Sequence, residues 1–267
     1  MRLLVWLCGL GLLAATPDYE IYAVRYATLK DFPVSGLVKG ADKARRMDVA
    51  ATFWVIKGGG RVILFDAGFY REQFMKQWKP ADYEKPSSAV GRLGLKAEDV
   101  TDVVLSHIHW DHADGFDLFP KARVWLQKEE LEYYAGEAWQ GHARTAADPE
   151  VLLQLVRWNT LGRVGLVRGD SQEILPGIMA YTGGKHTWQS QYLGVSTAGG
   201  VVVLASDNAY LYENLDKRIA IAQTLDEESN LRAQERMKEL GKIVVPGHDP
   251  LVFTRFREVA RGVVRIQ

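Results

Sequence analysis

The sequence predicts a layered α/β domain in which two β-sheets pack together and helices cover their outer faces. At 267 residues the chain is long enough for one large domain with a buried core. Apolar residues make up 47% of it and charged residues 25%, as is typical of a folded globular protein. Strand-like segments occur in both halves of the chain, and helical segments lie between them.

Short runs rich in β-branched and aromatic residues predict the strands. In the first half of the chain they cover residues 20–29, 49–58, 61–68, 100–107 and 122–127. In the second half they cover residues 173–182, 191–197, 201–207 and 242–248, the last of the predicted strands. Three consecutive glycines at 58–60 mark the turn between the second and third strands.

The helices are predicted from apolar residues at helical spacing. They cover residues 69–78, 128–139, 148–159 and 226–240. The third begins with an Asp-Pro pair, which favours a helix start. Proline and serine residues at 80–88 predict a loop.

The first 16 residues have the pattern of a signal peptide, with Arg2, an apolar run over residues 3–15, and small residues before Pro17. The run is shorter than the roughly 20 apolar residues that a membrane-spanning helix requires, so no integral membrane span is expected. We therefore predict a signal peptide over residues 1–16, a single domain over residues 17–267, and a periplasmic or secreted protein. A cytoplasmic protein with a buried N-terminal strand, or an uncleaved anchor, is the alternative.

Charge and cysteine content narrow the classes of function. Lys plus Arg and Asp plus Glu both number 33, so the net charge is zero and no basic field is available to bind nucleic acid. The single cysteine, Cys8, lies in the predicted signal peptide, so the mature chain would contain no disulfide, catalytic thiolate or thiolate metal ligand. A small-molecule partner is expected. The sequence does not decide whether the chain forms a homodimer.

Four side chains that can bind metal ions each follow a short β-branched run. Asp66 ends VILFD, His107 ends VVLSH, Asp207 ends VVVLASD and His248 ends IVVPGH. A packed sheet holds the ends of its strands in place, so side chains there are preorganised for a site.

Three of the six histidines lie in the stretch HIHWDH at residues 107–112. His107 and His109 are two positions apart, so an extended strand end would place both imidazoles on one face. Asp111 and His112 are adjacent and must diverge, which suits a turn that faces a second ion. Imidazole and carboxylate are ligands of divalent zinc, iron and manganese, so the stretch predicts metal binding.

Three later residues complete the candidate set of donors: His186 in GGKHTWQSQ, Asp207 in ASDNAY, and His248 in PGHDP. Five histidines and two aspartates are enough for two ions with a shared ligand. His142 belongs to no ligand motif.

HIHWDH, followed in order by a His, an Asp and a His, resembles the metallo-β-lactamase superfamily and its H-x-H-x-D-H signature. The resemblance extends from about Glu20 to Arg255. It implies an αβ/βα four-layer sandwich with two divalent ions at the edge between the sheets. Zinc is the expected metal, with iron, cobalt and manganese as alternatives. Asp66, in FDAG, would orient metal ligands without contacting the metal.

The same resemblance implies how the ligands divide between the two ions. One ion would be held by His107, His109 and His186, the other by Asp111, His112 and His248, with Asp207 as the bridge.

Within the superfamily the sequence is most similar to N-acyl homoserine lactonases. The likeness is carried by YAVRYATL at 22–29, the Asp-x-x-Tyr from Asp207 to Tyr210, and GHD at 247–249. A tyrosine three residues after the bridging aspartate hydrogen-bonds the lactone carbonyl in such lactonases, which implies this role for Tyr210. Tyr212 is the competing tyrosine.

The expected reaction is the opening of a lactone ring, that of an N-acyl homoserine lactone. Two cations lower the pKa of a water held between them, so that a metal-bridging hydroxide can attack the lactone carbonyl at neutral pH. Asp207 bridges the ions, Tyr210 stabilises the charge on the carbonyl oxygen, and Asp111 passes a proton to the departing alkoxide.

The wall of the substrate pocket is not defined by the resemblance. After His186 the stretch HTWQSQ differs from the longer turn of many relatives, which leaves the region near Trp188 open. The aromatic residues between Tyr133 and Trp158 fit either core packing or an apolar groove for an acyl chain.

Other members of the superfamily are rival interpretations. A glyoxalase II-like thioesterase shares the bridging aspartate, and other ester or phosphoester metallohydrolases share the ligands. A β-lactamase with a cysteine ligand is excluded because position 207 is Asp, and zero net charge opposes an RNA-processing nuclease. A lactone or ester is therefore the expected small-molecule substrate.

Overall fold

The computed structural model describes residues 17–141 and 146–267. The strands in these residues are β1 Glu20–Pro33, β2 Arg46–Gly58, β3 Arg61–Phe65, β4 Asp102–Val104, β5 Arg123–Gln127, β6 Val164–Val167, β7 Gln172–Leu175, β8 Ile178–Thr182, β9 Gln191–Thr197, β10 Gly200–Ser206, β11 Ile243–Pro246, β12 Arg257–Ala260 and β13 Val263–Arg265. The helices are α1 Glu72–Trp78, α2 Pro86–Ala89, α3 Trp110–Ala113, α4 Lys128–Ala135, α5 Pro149–Thr160, α6 Tyr212–Lys217, α7 Glu227–Leu240 and α8 Val252–Arg255. The predicted signal peptide over residues 1–16 and His142 lie outside the described residues.

The strands form two sheets. The first sheet has eight strands in the order β12-β13-β1-β2-β3-β4-β5-β6, and the second has five in the order β11-β10-β9-β8-β7. Strands β3 to β6 run parallel to one another, as do β10 and β11. Parallel neighbours end at the same edge of a sheet, so the residues that follow β4 lie close to those that follow β3.

Alternation along β2 shows how the first sheet is buried on both faces. Phe53 and Val55 pack in the core beneath the outer helices, whereas Trp54 and Ile56 pack in the core between the sheets. Side chains of a strand point alternately to its two faces, so one strand contributes to both cores. Trp54 also contacts Phe65, with ring centroids 5.5 Å apart.

Helices cover the outer face of each sheet. Leu131 of α4 and Leu155 of α5 pack on the outer core of the first sheet. Ala233 and Met237 of α7 pack with residues of the second sheet. The layers run helix, sheet, sheet, helix, as expected for a four-layer sandwich. Among the described residues, no helix is long and apolar enough to cross a membrane.

The structure departs from the predicted elements where strands are short. The predicted strand at 173–182 is two strands, β7 and β8, separated by the turn at Pro176-Gly177. Strand β6 and helix α6 were not predicted, and the strand at 242–248 is not the last, because β12 and β13 follow it. These elements have three to six residues, too few for a periodic pattern to be recognised. The loop predicted at 80–88 contains the start of α2.

Candidate metal centre

The structure brings together all seven side chains predicted as metal ligands, from both sheets. His107 and His109 follow β4, and Asp111 and His112 lie in the short helix α3 directly after them. The other three come from the second sheet: His186 lies between β8 and β9, Asp207 follows β10, and His248 follows β11. The site therefore lies at one edge of the sandwich, where strands of the two sheets end.

The donors form two clusters around Asp207. The first cluster contains His107, His109 and His186, and the second cluster contains Asp111, His112 and His248. Within each cluster the candidate ligand atoms all lie within 4.8 Å of one another. This division matches the one implied by the resemblance.

Asp207 directs its two carboxylate oxygens at different clusters. Its Oδ2 lies 3.4 Å from Nε2 of His186 and 3.8 Å from Nε2 of His107, both in the first cluster. Its Oδ1 lies 3.3 Å from Nε2 of His112 and 3.0 Å from Nε2 of His248, both in the second. The carboxylate thus has the geometry of a bridge between two cations.

The spacing of the donors fits divalent ions. Metal–ligand bonds of about 2.0–2.1 Å in a tetrahedral arrangement place neighbouring ligand atoms about 3.3 Å apart. Nδ1 of His109 lies 2.9 Å from Nε2 of His186, and Oδ2 of Asp111 lies 3.5 Å from Nε2 of His112 and 3.7 Å from Nε2 of His248. These distances bracket the tetrahedral value.

Three buried atoms of the site have no hydrogen-bond partner among the described residues: Nε2 of His107, Nε2 of His112 and Oδ1 of Asp207. A buried polar atom without a partner costs free energy, which a bound ion would recover. These unpaired atoms belong to groups that face one another, so the residues present fit a pair of metal ions.

Hydrogen bonds on the far side of two imidazoles, those of His186 and His248, fix their orientation. Nδ1 of His186 lies 2.8 Å from the carbonyl oxygen of Gln223, and Nδ1 of His248 lies 2.9 Å from that of Ala50. A carbonyl oxygen only accepts, so both Nδ1 atoms carry the proton and leave Nε2 free to bind a metal.

Asp66 is the centre of a buried hydrogen-bond network behind the histidines. Its Oδ2 accepts hydrogen bonds from Ser106 Oγ at 2.9 Å and Ser206 Oγ at 2.7 Å, and lies 2.8 Å from Nδ1 of His112. Ser106 Oγ also lies 2.8 Å from Nδ1 of His107. Asp66 therefore orients one histidine of each cluster, directly or through a hydroxyl, without being a candidate ligand itself.

The carboxylates and histidines of the site shift one another's pKa values. Burial favours the neutral form and lowers the pKa of His107 well below its usual value, with help from the neighbouring histidines. Burial also lowers the pKa of His109 to about 3. Burial opposes protonation of His112 too, but the charges of Asp207, Asp111 and Asp66 outweigh it and raise its pKa well above the usual value.

The buried negative charge of the site favours cations. Burial raises the pKa of Asp207, but His112 and His248 outweigh this effect and hold it well below the usual value. Among the described residues, the ion pairs of Asp66, Asp111 and Asp207 are all with histidine, and none is with lysine or arginine. Buried carboxylates normally have a cationic partner, and a metal ion would supply it here.

Four polar residues that position the ligands were not found from the sequence. Ser106 and Ser206 each directly precede a candidate ligand at a strand end, and a polar residue in an apolar run was the available signal. Asn208 accepts hydrogen bonds from the backbone N–H of Gly184 at 2.8 Å and thereby holds the loop that carries His186.

Glu130, on α4, is the fourth of these residues. Its Oε1 accepts a hydrogen bond from the N–H of Ile108 at 3.2 Å, and its Oε2 accepts one from the N–H of Gln189 at 2.6 Å. Burial raises the pKa of Glu130 to about 7, although its hydrogen bonds and the charge of Lys185 oppose this shift. A charged residue on the buried face of a helix was the signal for it.

Of the two candidate tyrosines, only Tyr210 lies at the clusters. Its hydroxyl oxygen is 3.3 Å from Nδ1 of His186, and its ring centroid is 5.8 Å from that of His248. Tyr212 instead packs against the guanidinium of Arg255, which lies 3.7 Å from its ring centroid.

A pocket of about 150 Å³ opens onto Asp111, Asp207, Tyr210 and His248. We call it the apolar pocket, after six large apolar side chains of its wall: Leu29, Phe32, Leu37, Val49, Trp78 and Trp110. Trp78 stacks on Trp110 with ring centroids 5.2 Å apart and an interplanar angle of 10°. The sequence did not indicate this wall, because its residues are spread over β1, the segment between β1 and β2, β2, α1 and α3.

A second groove, of about 340 Å³, reaches His109 and His186 and adjoins the apolar pocket, with which it shares His109 and Gln223. Tyr133, Tyr134 and Leu225 are among the residues that line this aromatic groove. Trp188 lies beside it and stacks on Tyr133 with ring centroids 4.2 Å apart.

The predicted aromatic region therefore divides between groove and core. Tyr133 and Tyr134 line the aromatic groove, whereas Trp158 is buried and packs edge-on against Phe116, with ring centroids 4.8 Å apart.

Comparison with known families identifies the fold. Residues 47–248 match the model of the metallo-beta-lactamase superfamily, a span that contains all seven donors. The chain belongs to the metallo-β-lactamase superfamily. The family and the fold predicted from the sequence are thus confirmed.

Several members of the superfamily that resemble this chain are lactonases. An N-acyl homoserine lactonase of Bacillus cereus is 27% identical over 191 residues, which cover 71% of this chain and 68% of the relative. The crystal structure of a quorum-quenching N-acyl homoserine lactone lactonase has a TM-score of 0.74 at 21% identity and covers 90% of this chain and 96% of the other. AidC, a dizinc quorum-quenching lactonase solved with a product, has a TM-score of 0.65 at 16% identity and covers 93% and 94%.

Replacement of Asp66 tests the network behind the histidines. In Asp66→Asn the neutral amide cannot accept all the hydrogen bonds that the carboxylate accepts, so Nδ1 of His112 loses its charged partner. We expect metal affinity to fall about 10- to 100-fold, as is typical when such a supporting carboxylate is lost. Competition with a chromophoric chelator measures the affinity.

A matched control is Asp102→Asn, which alters a buried carboxylate at the opposite end of β4, where it pairs with Arg61. The control should retain metal affinity. Equal affinities for the Asp66 variant and the unsubstituted protein would show that the network does not support metal binding.

Proposed function

We propose that this protein is a metal-dependent hydrolase that opens the ring of N-acyl homoserine lactones. The observation that carries the proposal is the pair of clusters joined by Asp207, directly beside a phenol donor and the apolar pocket. The lactonases among its relatives support the substrate class.

Two divalent ions, with zinc as the expected metal, would be held by the first and second clusters, and Asp207 would contribute to both. When bound, such ions supply an activated water at neutral pH and polarise the carbonyl group of an ester. The remaining steps depend on side chains of the chain itself.

Tyr210 is suited to donate a hydrogen bond to the lactone carbonyl oxygen. Burial, together with the charges of Asp207 and Asp111, raises the pKa of its hydroxyl well above the usual value of 10. The phenol therefore keeps its proton at neutral pH. A fixed donor of this kind stabilises the negative charge that develops on the carbonyl oxygen as the water attacks.

Asp111 is placed to move a proton between the attacking water and the leaving oxygen. It lines the apolar pocket, and its side chain is 16% exposed, more than those of Asp207 or His112. When the ring ester bond breaks, the leaving oxygen requires a proton, and Asp111 would deliver it.

The apolar pocket is suited to the acyl chain. Its aliphatic and aromatic wall begins beside Tyr210 and Asp111, so a substrate bound with its ring at the clusters would extend its chain along Trp78 and Trp110. An amide-linked hydrocarbon chain gains free energy when it leaves water for such a surface.

A substrate panel tests the proposed activity. The full-length protein, loaded with zinc or cobalt, should hydrolyse acyl-homoserine lactones of short and long chain and simple lactones. It should act weakly or not at all on S-lactoylglutathione and a phosphodiester. A chelator should abolish the activity, and added metal should restore it.

Two outcomes of the panel would count against the proposal. Rapid turnover of S-lactoylglutathione with inert lactones would favour a glyoxalase II-like thioesterase with the same metal site. Less than one bound ion per chain by elemental analysis would rule out the proposed metal-dependent reaction.

Loss of the Tyr210 hydroxyl should slow the reaction without loss of metal. We expect Tyr210→Phe to lower kcat by about 10²- to 10³-fold, as when one donor to a developing oxyanion is removed. Metal content should be unchanged. Tyr212→Phe is the matched control and should have no effect, since Tyr212 packs against Arg255 away from the clusters. A normal kcat for Tyr210→Phe would exclude the assigned role.

Shortening Trp78 should change the preference for acyl-chain length. Trp78→Ala removes a wall of the apolar pocket, so kcat/KM for a ten-carbon chain should rise relative to that for a four-carbon chain. Trp188→Ala alters the border of the aromatic groove and should leave the ratio unchanged. If Trp188→Ala changed this ratio and Trp78→Ala did not, the acyl chain would instead lie in the aromatic groove.

A further inference from the structure

Glu130 connects the two loops that carry the first cluster. Its side chain is buried, with 1% of the residue exposed. Ile108, which donates to Oε1, lies between His107 and His109, and Gln189, which donates to Oε2, lies three residues after His186. One carboxylate thus accepts a backbone N–H from each loop of the first cluster.

Both backbone contacts of Glu130 come from donors, so the side chain must present an acceptor at each oxygen. A carboxylate does this, whereas a glutamine amide has one acceptor and would direct its NH₂ group at a backbone N–H. The requirement is therefore for the charged carboxylate, not only for a side chain of this shape.

The second cluster has different supports. His112 is oriented by Asp66 and His248 by the carbonyl of Ala50. Among the described residues, no hydrogen bond joins Glu130 to His112, to His248 or to the groups that orient them. Its effect on the two clusters should therefore be unequal.

We infer that Glu130 is a positioning residue for the first cluster, which sets the separation of the loop at His107 and His109 from the loop at His186. The inference rests on the proposed metal-dependent function. It assigns to Glu130 no contact with metal or substrate, only the spacing of the ligands.

Two single variants, used as backgrounds for further substitutions, allow the zinc affinity of each cluster to be measured alone. His248→Ala disables the second cluster and His186→Ala disables the first. Zinc affinity is measured in each background by competition with a chromophoric chelator at pH 8, above the pKa of about 7 for Glu130. Adding Glu130→Gln should weaken binding about 10- to 100-fold in the His248→Ala background. It should change binding less than twofold in the His186→Ala background.

Two comparisons separate positioning from a general loss of stability. Glu130→Asp keeps the charge but is shorter by one methylene group, so it should give an intermediate affinity. Asp102→Asn alters another buried carboxylate of the first sheet, at the end of β4 opposite to the clusters, and should leave both affinities unchanged. Equal weakening in both backgrounds, or no weakening in either, would overturn the inference.

Amide hydrogen exchange decides the inference independently of metal binding. In the metal-free protein with its histidines intact, Glu130→Gln should speed the exchange of the Ile108 and Gln189 amides at least tenfold, and Asp102→Asn should not. Unchanged exchange would overturn the positioning role. If neither background binds zinc but the exchange effect is found, the proposed function fails while the connection made by Glu130 stands.

Discussion

The packing of the two sheets is the constraint on which the site depends, because neither sheet carries a complete set of donors. The first sheet contributes His107, His109, Asp111 and His112, and the second contributes the remaining donors. Asp207, which follows β10 of the second sheet, lies 3.8 Å from His107 and 3.3 Å from His112, which both follow β4 of the first sheet. The large buried residues between the sheets thus determine the distances at the site as well as the stability of the fold.

Close packing at the strand ends requires unusual backbone conformations. Asp66 has φ of 62° and Ser206 has φ of 46°, values in the left-handed region that non-glycine residues seldom adopt. Both residues belong to the network behind the histidines, and such strain persists where surrounding contacts hold it. A Cβ at Gly247 would lie 2.8 Å from Oδ1 of Asp207, so a glycine is needed beside the carboxylate that faces both clusters.

The sequence indicated the candidate ligands better than their surroundings, for physical reasons. Candidate ligands such as His107 and Asp207 are recognised by residue type and order, which do not require knowledge of the packing. Glu130 acts through backbone N–H groups distant in sequence, so its partners follow only from the fold. The wall around Trp78 likewise assembles from several elements, and short strands such as β6 carry too little periodicity to predict.

The contact between Ala50 and His248 has a consequence for how the protein can vary. The Ala50 N–H donates to the carbonyl of His248, and the His248 ring donates to the carbonyl of Ala50, at 3.0 and 2.9 Å. This reciprocal pair joins β2 of the first sheet to the end of β11, so a small slide between the layers would displace one donor of the centre. Evolutionary change in substrate preference is therefore easier in the pocket wall than in the interior of the sandwich.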